Sequence, residues 1–116
     1  MWGTTRFAVI ALLVLLGSCT INPHSMNMTQ AVQSAKSPGD HEALAKHYAD
    51  AAREMQLKAD EHKKMLAQYQ AKKDLYGKHA QDLMNHCQGL IRIYEQAAAE
   101  NTAMAKSHRE MATEVK

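Results

Sequence analysis

Ser37–Lys73 reads SPGDHEALAKHYADAAREMQLKADEHKKMLAQYQAKK, and this stretch decides the fold. Ser37 can cap a helix, Pro38 suits the first helical position, and Asp40 can return the capping-box bond while its charge complements the helix dipole. Beyond Gly39 no glycine or proline interrupts the run, and Ala, Leu, Met, Glu, Lys and Gln dominate it. These are the residues that lose least on entering a helix. Asp74-Leu75-Tyr76-Gly77 follows as the turn, with Gly77 able to supply a left-handed residue. A second helical run goes from Lys78 to about Glu114, weakened only by Gly89, which costs about 1 kcal/mol relative to alanine. No alternating strand pattern occurs.

At roughly 100° per residue, Leu44, Tyr48, Ala51, Met55, Ala59, His62, Leu66 and Tyr69 share one stripe of the first helix. His79, Leu83, His86, Leu90, Tyr94, Ala97, Met104, His108, Met111 and Val115 share one on the second. Two amphipathic helices with a short connection fold back on each other. The expected fold is therefore all-α, an antiparallel two-helix hairpin over residues 37–116, each arm about 50 Å long. The stripes are narrow and rich in alanine. Pairing of two hairpins into a four-helix bundle, a homodimer, is the expected way to cover them.

Upstream, Arg6 and the amino terminus precede an uninterrupted apolar run, Phe7–Leu16. That run is too short to span a bilayer, which takes about 20 residues, and fits the core of a secretion signal over residues 1–18. It ends in Leu16-Gly17-Ser18-Cys19, which resembles the lipobox of bacterial lipoproteins. The resemblance implies that the Cys19 thiol takes up diacylglycerol and that the chain is cleaved before it. It further implies a small helical lipoprotein of the Gram-negative envelope, a group with no activity to carry over. Thr20, where an aspartate would favour the inner membrane, implies an outer-membrane anchor facing the periplasm. Residues 19–36, polar and without helical periodicity, read as a tether.

The whole chain carries a formal charge of +2, and this near balance gives no electrostatic case for nucleic acid or an anionic membrane surface as a partner. If Cys19 is acylated, Cys87 is the one remaining thiol. In an oxidising compartment it is a metal ligand, an intermolecular disulfide or a buried inert thiol.

All seven histidines and seven of the eight methionines lie after residue 18, many on stripes that normally carry Leu, Ile and Val. Folding about residue 75 makes position i oppose roughly 150 minus i. Two clusters are then expected: His62, Met65, His86 and Cys87 in mid-hairpin, and His41, His47, Met104, His108 and Met111 at the open end. His62-Lys-Lys-Met65 and His108-Arg-Glu-Met111 each set an imidazole and a thioether on adjacent turns of one face. Sulfur donors favour Cu(I), and imidazole suits copper and zinc alike, so the mixture points to copper before zinc. His24, Met26 and Met28 in the tether resemble the short methionine motifs of periplasmic copper-handling proteins and are possible accessory ligands.

The function expected from these residues is sequestration or delivery of a soft metal ion by a lipid-anchored periplasmic hairpin. Two other readings use the same residues. Methionine is an ordinary gap-filler, so the hairpin could be a structural or partner-binding envelope element without metal. Clustered histidines could instead loosen the seam in acid. No glycine-rich phosphate loop, nucleophile elbow, H-E-x-x-H or Cys-x-x-Cys is present, and an elongated two-helix body has little concave surface, so catalysis is not expected.

Overall fold

The computed structural model describes residues 26–114. The expected secretion signal, the expected lipidation at Cys19, His24 and Val115 lie outside the described residues. Within them the chain is all-α. Helix α1 is Met28–Ser34, α2 is Pro38–Ala71, α3 is the single turn Lys73–Tyr76, and α4 is Ala80–Glu114, with a 3-10 turn at Gly77–His79 between the last two. The long helices α2 and α4 pack antiparallel, which is the expected hairpin.

The start of α2 forms as its sequence dictates. Ser37 Oγ accepts from the Asp40 amide at 3.1 Å, and Asp40 Oδ2 accepts from the amides of Ser37 and Lys36 at 2.9 and 3.0 Å. Those bonds hold the Asp40 carboxyl at about 2, the backbone amide of Lys36 contributing most. Helix α1 lies inside the stretch expected as a tether. Asn27 caps it, accepting from the Gln30 amide at 3.2 Å, and a local cap plus Met, Gln, Ala and Val suffices for two turns without an amphipathic stripe. No helix among the described residues is long and apolar enough to cross a membrane.

The arms meet on a seven-residue repeat. On α2 one row of the seam is Ala45, Ala52, Ala59 and Leu66, and on α4 it is Met84, Ile91, Ala98, Ala105 and Ala112. Between them run His41, Tyr48, Met55, His62 and Tyr69 on α2, and Ala80, Cys87, Tyr94, Asn101 and His108 on α4. A strict period of seven is that of a left-handed coiled coil. Ala45, Ala59 and Ala105 are essentially sealed from solvent. Alanine there lets the backbones approach closely, and the ring-bearing row lies beside this contact line. The seam of α4 is thus rotated from the expected stripe: Met84, Cys87, Ala98 and Ala105 are buried, while His79, His86, Met104 and Met111 are exposed.

The register also differs from the expectation. His62 stacks on Tyr94, with ring centroids 5.5 Å apart, and Tyr48 stacks on His108 at the same separation. Each partner lies about six residues beyond the one given by folding at residue 75. The cause is the turn. Helix α3 prolongs the first arm, keeping Tyr76 against Tyr69 edge to face at 5.0 Å. The chain reverses only at Gly77, where φ is +52°. Moving the fold point by a few residues moves every partner by twice as many.

Candidate functional site at the open end

Near the amino-terminal end of α2 and the carboxy-terminal end of α4, three rings gather on the seam. His41 Nδ1 lies 3.2 Å from His108 Nδ1. Their rings are stacked with centroids 5.4 Å apart, and Tyr48 lies on the other contact of His108, within 9° of parallel. His108 is only 6% exposed. The two facing nitrogens can share one proton and no more: one imidazole donates N–H and the other offers its lone pair. Burial, followed by the neighbouring His41, lowers the affinity of His108 for a second proton. A neutral imidazole with a lone pair directed at its neighbour is the form in which histidine binds metal.

The spacing fits that use. Two nitrogens bound to one tetrahedral ion at about 2.0–2.1 Å stand about 3.3 Å apart. Two imidazoles from different helices thus stand at about the separation of two ligands of one ion. Thioethers lie on the same stretch of α4: Met111 one turn beyond His108, and Met104 four residues before it, both exposed. His47 is buried, with its ring edge-on to Tyr48 at 5.8 Å. Leu44, 1% exposed and one turn from His41, is the one large side chain fully enclosed among the described residues.

The mid-hairpin group expected from the sequence is not gathered. His62 meets Tyr94, and the side chain of His86 is exposed. Met65 is also exposed, while Cys87 is a buried free thiol. Lys58 Nζ lies 6.0 Å over the Tyr94 ring, and Lys63 pairs with Glu95 at 2.7 Å, so this layer is closed by aromatic and ionic contacts. The Nδ1 atom of His62 is buried with no hydrogen-bond partner. Among the described residues no three or more of His, Cys, Asp and Glu converge as a metal ion would require. Of the tether residues, Met26 and Met28 are described and half-buried, Met28 at the start of α1.

Tyr48 and Tyr94 had no role in the sequence reading beyond filling the interface, yet each is the ring partner of a histidine. The signal was the spacing, since 41, 48, 55, 62 and 69 are seven apart, as are 80, 87, 94, 101 and 108. Comparisons of the chain with protein-family models, curated proteins and solved structures find no match.

Proposed function

We propose that the protein is a lipid-anchored, periplasm-facing helical hairpin that binds a soft metal ion at its open end, copper before zinc, for sequestration or delivery. The observation that carries this reading is the 3.2 Å approach of His41 Nδ1 and His108 Nδ1 from opposite arms. Met111 and Met104 supply the sulfur that favours Cu(I), and binding is the activity assigned. Lipidation at Cys19 rests on the Leu16–Cys19 sequence, and outer-membrane placement on Thr20 after it.

The test is titration of the chain from residue 20 with Cu(I) against a competing chelator. Binding tighter than micromolar is expected, falling at least tenfold in His41→Ala and in His108→Ala. Micromolar or weaker binding, or no change in either variant, would sink the assignment.

A second reading, a structural or partner-binding envelope hairpin without metal, is favoured by the lack of a three-donor group among the described residues. It predicts the same oligomer and the same thermal midpoint with metal present or removed. Stabilisation by Cu(I), as linkage demands of a native-state ligand, separates the two.

A further inference from the structure

The near-neutral charge of the chain conceals a segregation along its length. The turn end, residues 62–94, holds five lysines, Arg92 and the two acids Asp74 and Asp82, while the rest of the described chain holds six basic and ten acidic residues. One end of the hairpin is therefore net +4 and the remainder −4. Lys63 is engaged by Glu95 and Asp60. Lys64, Lys72, Lys73 and Lys78 are exposed and form no ion pair among the described residues.

In the midst of these cations stands Leu75, 75% exposed, the most exposed large apolar side chain among the described residues. It projects from α3, a single turn fixed at one side by the Tyr69–Tyr76 ring contact and ended by the left-handed Gly77. A leucine could turn inward over the seam at this point. Instead it stands exposed at the turn end of the hairpin, away from the start of α2.

We propose that this turn, Lys72–Lys78, docks end-on to an anionic phospholipid surface, with Leu75 entering the interfacial layer and the lysines meeting headgroup phosphates. Juxtaposed lysines gain from the negative surface potential of such a membrane, and an apolar side chain among them adds burial at the acyl boundary. A purely ionic partner, such as an acidic peptide, would use the lysines and leave Leu75 in water. That is why a lipid surface fits better. The acidic remainder of the hairpin is repelled from the same surface, which favours contact through the tip.

The α2–α4 pairing lies wholly within residues 38–114, so the chain from residue 20, which lacks the acylation site, keeps the tip and removes any binding through lipid. It is mixed with vesicles of phosphatidylcholine alone or with phosphatidylglycerol added, and sedimented. Binding is expected only to the anionic vesicles and is lost in high salt. Lys72→Gln with Lys73→Gln should weaken it roughly 30-fold, and Leu75→Ser roughly tenfold. Helicity should be unchanged, since all three side chains are exposed. Equal binding to both vesicles, no binding to the anionic ones, or binding indifferent to Leu75→Ser would overturn the proposal. The last of these results would leave a purely ionic contact without apolar insertion.

Discussion

The two histidine layers of the seam occupy equivalent places in the seven-residue repeat and end in opposite chemistry. At the open end, His108 is matched by a second imidazole, and two nitrogens face each other at 3.2 Å. In mid-seam, His62 is matched by the phenol ring of Tyr94, and its Nδ1 faces nothing that can accept or donate. The stacking distances are nearly the same. What separates a candidate ligand set from an aromatic layer is the residue opposite, and that is decided by register. The comparison also shows how little bulk holds the arms together. Six of the nine buried apolar residues among those described are alanines, so the rings contribute much of the packing beside a narrow contact line.

The strongest way to break the comparison is at Leu44, the large side chain enclosed beside the open-end layer. Leu44→Ala should cost about 2–5 kcal/mol, the range for emptying a buried leucine site, read as a fall in the thermal or urea midpoint. The loss should be felt first at His41 and His108, seen by NMR as loosening of those rings while the His62–Tyr94 layer persists. Equal loosening of both layers would show that the hairpin is one cooperative unit without a separable end.

His62→Phe sharpens the comparison from the other side. Phenylalanine keeps a flat ring against Tyr94 and removes the unsatisfied nitrogen, whose burial costs about 1–3 kcal/mol. The variant should therefore unfold at a higher temperature than the parent, with Cu(I) affinity unchanged. A drop in affinity would restore His62 to the ligands; a drop in stability would mean that its nitrogen is satisfied in solution.

The helical hairpin was legible because its signals are local. The Ser37–Asp40 box, the absence of breakers and Gly77 each act within a few residues, and each does in the structure what its chemistry requires. Partner identities across the seam were not legible in the same way. They depend on where the chain reverses, and the single turn Lys73–Tyr76 shifted that point to Gly77. An error of about three residues there becomes one of about six at His62, enough to exchange His86 and Cys87 for Tyr94. His41 and His108 were still brought together, because His41 reaches along the seam toward the same ring that Tyr48 covers. The alanine rows were hidden for a different reason. Alanine is common on every face of these helices, so hydrophobicity alone did not distinguish the row that seals the arms from its neighbours.

The smallest effect lies in the protonation of the open-end pair. Burial and the nearby His41 hold the folded His108 below its ordinary value of 6.5, so the unfolded chain takes up the proton first as pH falls. By linkage the metal-free protein has its full stability above about pH 6.5 and loses some of it as pH drops through that value toward the lowered folded one. Both nitrogens charged at 3.2 Å would also repel, which adds to the loss in the same direction. Thermal midpoints measured without metal from pH 8 to 5 should fall in the parent, and fall less in His108→Gln, which keeps a polar side chain without a titrating ring. Asp40 does not confuse the window, since its carboxyl titrates at about 2, and the exposed Lys46–Asp50 pair likewise holds Asp50 below the usual carboxylate range. Parallel slopes for parent and variant would place the pH response elsewhere among the histidines, and the open end would then differ from mid-seam in geometry but not in its response to protons.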